Sequence, residues 1–494
     1  MLRTFAILAA VVALAAGILY QFFGLRVVLD GGGTPHLRLV EPSDRQAARI
    51  ERHREEQRAE YAKESHSDSV AVTPPAAASV EPVAGVSAPA ASSTSPATIS
   101  TRNASLAPPY WTDFRGPRRD GEYREQPILT AWPPGGLKPL WKQPSGGGYA
   151  SFTIANGRAF TIEQRGAEEV VAAYEVATGR ELWKTSWRGE FKESMGGDGP
   201  RATPTWAGGR VFALGAEGEL RALDEATGRT AWRTNILQDA GVANLSWGMA
   251  ASPLVVDEVV VTLPGGPNGH SVVAYDRASG RRVWQTLDDQ QSYASPALVT
   301  LAGVRQILVF TADRLVAIGP NGGEPLWSVP WPGPNRINAA QPLVIGDNRV
   351  FISSGYGIGA AVVEVSKGPS GFSVREIWRN TRMKNRFASS VLHDGFIYGL
   401  DESILTCLDA ATGEPRWKGG RYGYGQLILA SGHLIVLTEE GDLVLVRATP
   451  ARLEEVARFP ALSGKTWNPP AIGGGFLLVR NLAEMAGFDV TIRK

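Results

Sequence analysis

The chain has 494 residues, with 50 Lys and Arg against 49 Asp and Glu, and a formal charge of +1. That balance leaves no electrostatic footprint for nucleic acid or for an acidic membrane surface. One cysteine excludes an intramolecular disulfide, a Cys-based zinc finger and a CxxC redox motif, while 56 Gly and 14 Trp point to many tight turns and short strands.

No charge occurs in the 22 residues from Thr4 to Leu25. As a helix such a run would span about 33 Å, against a hydrocarbon core of roughly 30 Å. Residues 1–26 are therefore expected to form an uncleaved signal-anchor, a single transmembrane helix with Arg3 on the inner side. A cleaved signal peptide is the rival. Ala13-Leu14-Ala15 offers small residues, but the apolar run continues through Phe22 and Phe23. No Cys follows the run, which argues against a lipoprotein anchor. On either reading the remainder lies outside the cytoplasm, in the periplasm for a single-pass protein of the inner membrane.

Residues 27–65 read as a charged juxtamembrane segment. Glu51 and Arg54, Glu55 and Arg58, and Glu60 and Lys63 stand three apart, which predicts a short solvated helix; no apolar seam supports a coiled coil. Residues 66–109 are mostly Ala, Pro, Ser, Thr and Val, and are expected to be a disordered linker with a reach on the order of 35 Å or more. The linker is expected to act as a tether with no binding role.

Residues 110–494 carry an internal repeat. Ala222-Leu-Asp-Glu-Ala-Thr-Gly-Arg-Thr-Ala-Trp232 has counterparts ending at Trp183, Trp284, Trp327 and Trp417, and in each Gly precedes Trp by four. The pattern predicts a hairpin. Gly takes the positive-φ turn position, Asp and Thr cap the turn, and Trp leaves on the outgoing strand as a packing unit. The recurring aromatics Trp141, Trp183, Trp232, Trp284, Trp327, Trp378, Trp417 and Phe459 are spaced by 39 to 52 residues. With two further apolar runs upstream of each hairpin, such a period gives four strands per repeat, the size of a propeller blade. Seven full units run to Phe459. Trp467 to Val490 supplies three more strands, and Leu137–Gln143 is an orphan strand with the missing kind of Trp. The expected fold is therefore all-β, an eight-bladed β-propeller closed by an N-terminal strand. WD40 repeats would place Asp after the strand-end Trp; here Lys142, Lys184, Arg233 and Gln285 follow.

The pattern ALDxxTGxxxW resembles the tryptophan-docking repeat of the pyrroloquinoline quinone (PQQ) propeller superfamily, most closely at Asp224–Trp232 and Asp409–Trp417. The opener Trp111–Gly121 and the closing Gly464–Pro470 are similar to bacterial envelope proteins called PQQ-binding-like. Those are grouped with the propeller subunit of the outer-membrane β-barrel assembly machinery. The resemblance implies that Trp141, Trp183, Trp232, Trp284, Trp327, Trp378 and Trp417 pack between blades. Blade five departs at Gly368–Gly371 and blade seven at Ala448–Pro450, so looser joints are expected there.

In a propeller the innermost strand of each blade starts at the central channel. The eight starts are expected to bring Tyr149, Ser151, Arg201, Thr203, Ser252, Tyr293, Ser295, Gln341, Ser389, Gln426, Trp467 and Asn468 to the channel mouth, with Tyr424 nearby. These groups either cap strand starts and hold channel water, or line a pocket for a small polar or anionic ligand with Arg201 as its charge partner. The PQQ dehydrogenases of the superfamily bind the quinone with calcium, a catalytic Asp and usually a vicinal disulfide. Here the lone Cys407 cannot form that disulfide, and it stands where other repeats have Ala. Glu190, Glu193 and Asp198 share a loop that solvation explains. No catalytic or metal-binding residue is assigned, and PQQ enters only through the resemblance. The expected function is a membrane-anchored extracytoplasmic binding or scaffold module. Its partner would be an envelope protein, or a small polar ligand at the mouth, and not nucleic acid. The alternative is a PQQ-dependent alcohol or sugar dehydrogenase with a variant site.

Overall fold

The computed structural model describes residue 19, residues 24–69 and residues 111–492. Most of the apolar run expected to cross the membrane, and linker residues 70–109, lie outside the described residues. Among the described residues no helix is long and apolar enough to cross a membrane.

Eight blades of four antiparallel strands form the ring, one per repeat, from Thr153–Arg188 (blade one) to Gln426–Pro460 (blade seven), where the short strand Glu122–Tyr123 adds a fifth, parallel to Gln426–Ala430. Blade eight takes three strands from Ala471–Asp489 and its fourth from Pro139–Pro144, with Trp141 opposite Gly487. The orphan strand thus closes the ring, and closure removes the open edges of an array.

The hairpin chemistry follows the repeat. Asp224 Oδ1 accepts the Thr227 N–H (2.9 Å) and hydroxyl (2.7 Å). Gly228 has φ +71°, and a Cβ there would collide with the Trp183 ring of the preceding blade. Glycine is therefore needed twice, for the turn and for the docking face. The Trp stands opposite a small residue: Ala173, Ala222, Ala274, Ala317 and Cys407 face Trp183, Trp232, Trp284, Trp327 and Trp417. At each of these pairs the register slips by one, and such a bulge increases local twist. Cys407 is buried, and burial pushes its thiol up to about 12. The core lies between blades, as where Phe212 and Trp232 of blade two meet Val260 and Tyr275 of blade three.

Five of the seven tryptophans donate their indole N–H to a turn carbonyl of the next blade: Trp141 to Val176, Trp183 to Glu225, Trp232 to Arg277, Trp378 to Ala410 and Trp417 to Thr449. The expected looseness at blade seven is corrected by that last bond, 2.8 Å long. Phe459 is also buried, edge-on to Trp132 and Phe488. Blade five has a long hairpin, Gly359–Gly368 with Gly371–Asn380, and no docking turn. Trp327 instead bonds Gln306 of its own blade. The joint is nevertheless made, by Trp331. It is buried, donates to Ser354 Oγ at 3.0 Å and carries the Arg379 guanidinium over its ring.

Two segments before the ring, a hairpin and a helix, differ from what was expected. Leu25 and Arg26, expected to end the anchor helix, open a hairpin of Leu25–Leu29 with Pro35–Leu39. Its outer face exposes Val27, Leu37 and Leu39. Ser43–Ser69 forms one 27-residue helix, α1, which takes in the first residues of the expected linker. It is not solvated all round. Ile50 and Arg54 are fully buried. Arg54 donates to Gln143 Oε1 (2.7 Å) and the Pro144 carbonyl (3.0 Å), and lies over the Tyr174 ring. This seats α1 on the joint between blades eight and one. Beneath it, burial alone would push the Glu163 carboxyl up, but Arg165, Arg480 and Arg54 bring it to about 2.

Candidate functional site

The channel mouth is built from the eight strand starts. Tyr149, Arg201, Tyr293, Ser295, Gln426 and Trp467 line a cavity of about 250 Å³ there. The other six predicted residues sit between blades and hold neighbouring starts together. The Ser151 N–H reaches Thr203 Oγ1 (2.9 Å), the Ser252 N–H reaches Ser295 Oγ (2.9 Å) and the Gln341 N–H reaches Ser389 Oγ (2.9 Å). Asn468 Nδ2 donates to the Gly148 and Ala150 carbonyls. Each of these bonds satisfies a buried strand end that water cannot reach.

The aromatic wall is already packed. Trp467 stacks on Tyr149 with centroids 5.2 Å apart and touches Phe387 on another side (4.6 Å). Tyr293 packs on Trp247. The Arg201 guanidinium is spent on the Gly197 and Gly199 carbonyls and lies 3.7 Å from Glu193. Glu193 is thus half-buried and bonded rather than freely solvated. It also accepts the N–H groups of Met195, Gly196 and Gly197. Burial lowers the Lys465 ammonium to about 8, against the pull of Glu439 and Glu193, and it sits 3.6 Å from the Trp467 ring centre.

Sequence reasoning missed both closures of the channel. Trp111–Gly121 crosses it beneath the mouth, and Phe114 forms part of the cavity floor. Arg119 is buried and donates to the Ser252 (3.1 Å), Pro253 and Pro296 (2.8 Å) carbonyls, tying blades three and four. Arg115 does the same for blades six and seven through Ser390 (3.0 Å) and Leu427 (2.9 Å). Burial lowers it to about 10, so it stays charged at neutral pH. Over the mouth lies the tip of the N-terminal hairpin, Asp30–Gly33. The Gly31 N–H donates to Glu439 Oε1 at 2.8 Å, Arg386 donates to the Gly31 carbonyl, and Lys465 Nζ donates to the Leu29 carbonyl at 3.0 Å.

These residues do not fit calcium-bound PQQ. Among the described residues no three His, Cys, Asp or Glu side chains form a group that could hold a metal ion. The face of Trp467 toward Tyr149 is closed by stacking, so no planar slot separates them.

The outer membrane protein assembly factor BamB of Burkholderia pseudomallei is 23% identical over 344 residues, covering 60% of this chain and 84% of that one. The crystal structure of BamB from Moraxella catarrhalis superposes with TM-score 0.53 at 16% identity, over 72% of this chain and 99% of that one. A quinohemoprotein alcohol dehydrogenase from Comamonas testosteroni superposes with TM-score 0.56 at 13% identity, over 78% and 81%. Both structures share the fold. A family model described as outer membrane protein assembly factor BamB matches residues 133–247 and 167–419, more than half of the chain. With the docked tryptophans and the closed eight-blade ring, that match makes the chain a member of the PQQ-repeat propeller family of outer membrane protein assembly factor BamB.

Proposed function

We propose that this chain is a bacterial envelope propeller that acts as a binding or scaffold module for another envelope protein. It is held at the inner membrane by the apolar run before residue 25, with the ring on the periplasmic side. The observation that carries the reading is the channel closed from both sides by the chain's own segments, Trp111–Gly121 and Asp30–Gly33. A small-molecule enzyme of this fold needs an open route from solvent to the channel. A scaffold needs only a rigid ring with exposed loops. Membership in a family named for protein assembly supports the same reading.

The test uses the full chain in its own envelope. A photocrosslinking amino acid replaces Tyr356 at the mouth rim, and adducts are resolved by mass spectrometry. A discrete adduct with one envelope protein, absent when the crosslinker replaces an outer-strand residue such as Val283, is the expected result. Crosslinks to nothing but the chain itself at both positions would sink the scaffold role. Recovery of the chain in the soluble fraction after alkaline extraction of membranes would remove the anchor. Dye-linked alcohol oxidation after loading with PQQ and calcium would replace the reading with the dehydrogenase one.

A further inference from the structure

The groups that hold the hairpin tip read main chain rather than side chains. Glu439 takes the Gly31 N–H, while Arg386 and Lys465 take the Gly31 and Leu29 carbonyls. Glu439 is set for this before the tip arrives. Its carboxylate also receives the Tyr424 N–H (3.1 Å) and the Trp467 indole N–H (2.9 Å), and the residue is 7% exposed. Arg386 is likewise held, its guanidinium lying over the Tyr356 and Tyr424 rings at 4.4 and 5.2 Å. One position is selective. A Cβ on residue 31 would collide with Tyr424 at its Cβ, Cγ and Cδ2, so only glycine enters there.

The tip fits this site loosely. Beneath it lies the cavity walled by Trp247, Tyr293, Tyr356, Phe387 and Trp467, and the glycines above have no side chain to fill it. Behind the tip, the hairpin's apolar outer face is turned to solvent. A lone two-stranded hairpin has little stability of its own. By contrast α1 is fastened by the buried Arg54, so a released hairpin stays tethered beside the mouth.

We propose that the propeller mouth is a receptor for a glycine-bearing β-turn on a partner polypeptide, and that the chain's own Asp30–Gly33 turn occupies it until such a partner displaces it. This rests on the scaffold reading above and gives its partner a chemistry. The favoured turn has glycine where Gly31 sits and a neighbouring aromatic or aliphatic side chain that enters the cavity. That side chain is the contact the internal turn lacks, and it lets an outside turn compete with a tethered one.

The probe is a disulfide-cyclised peptide of residues 25–39, made with the native turn and again with Gly33→Phe, titrated by fluorescence anisotropy against the full chain. Gly31→Val in the protein should expel the internal turn, and at least a tenfold tighter binding of the native peptide than wild type shows is expected, because only the open fraction can bind. The Gly33→Phe peptide should bind tighter than the native one. Adding Arg386→Ala to Gly31→Val should abolish both. Thermal melts check that the ring of each variant is intact, and faster tryptic cleavage at Arg38 in Gly31→Val reports release of the hairpin. Equal binding to wild type and Gly31→Val, no binding to either, or binding that survives Arg386→Ala overturns the proposal. A mouth crosslink to an envelope protein together with no peptide binding would discard the turn receptor and leave the scaffold reading standing.

Discussion

Trp183 and Trp284 hold the same place in their repeats and are half-buried alike. Trp183 donates to the Glu225 carbonyl of the next blade at 2.9 Å, whereas the Trp284 ring nitrogen is buried without a partner. The matching turn of blade four, Gly319–Gly323, contains Pro320 and Gly322 in place of the Asp-x-x-Thr turn. Replacing either Trp by Phe removes the same pyrrole edge, roughly 50 Å² of ring and about 1 kcal/mol of transfer free energy. At Trp183 the change also leaves the Glu225 carbonyl unpaired, which adds about 1 kcal/mol. At Trp284 it deletes an N–H that had no acceptor, and the relief of about 1 kcal/mol cancels the transfer loss. Trp183→Phe should therefore cost about 2 kcal/mol and Trp284→Phe about 0. Urea unfolding of the full chain, followed by far-UV circular dichroism, reads the difference as a shift in midpoint at constant slope. Equal losses at the two sites would show that the indole bond contributes nothing to blade docking and would refute the reasoning.

Burial raises the Glu169 carboxyl from 4.5 to about 7, against the Ala216 and Trp187 N–H groups that favour its charged form. It binds more protons folded than unfolded between those values, so stability should fall by about 3 kcal/mol as pH rises from about 4.5 to 7. Glu169→Gln should flatten that slope in urea midpoints taken across the window; an unchanged slope would contradict it. Arg480 is fully buried, with bonds to the Gly146, Ala150 and Ile162 carbonyls and Thr161 Oγ1, and lies 3.7 Å from Glu163. Arg480→Met should cost about 3–5 kcal/mol, since it leaves three buried carbonyls without their donor and removes one of the guanidiniums around Glu163; a loss below about 1 kcal/mol in the same assay would argue that the network relaxes freely. Arg54→Ala should free α1 and raise the rate of Glu-specific proteolysis at Glu55 and Glu56 several-fold, with the ring's unfolding midpoint shifted far less than by Arg480→Met. Cleavage at the wild-type rate would mean that Arg54 does not hold the helix.

The ring was legible because its information is local and repeated. A Gly four residues before a Trp encodes a turn and the neighbour's docking surface at once, and Trp141 without a hairpin of its own pointed to blade eight. The arm before the ring was not legible in the same way. Leu25–Leu39 alternates around Asp30-Gly31, a hairpin signal, but its first residues extend an apolar run and read as anchor. Arg54 looked like half of an i,i+3 pair with Glu51, while its real partners lie about 90 residues or more downstream. Arg115 and Arg119 bond carbonyls, which carry no sequence signature. Trp331 lies outside the repeat register and so escaped the count of joints. At the mouth, the strand starts could be read but the direction of each hydroxyl could not, because that depends on the twist between blades.

The pairing of Pro139–Pro144 with Glu484–Asp489 sets the order of events when the chain is made. The first strand of the ring to emerge has its partner among the last, and closing a loop of roughly 350 residues costs about 5 kcal/mol of chain entropy. Seven blades can stack as they arrive and Trp141 can dock on the Val176 turn of blade one, but its strand edge stays unpaired until Glu484–Asp489 has been made. A chain stopped before Glu484 therefore presents an unpaired strand edge, the feature that invites edge-to-edge pairing and aggregation. For this fold, completeness of synthesis is checked by the ring itself.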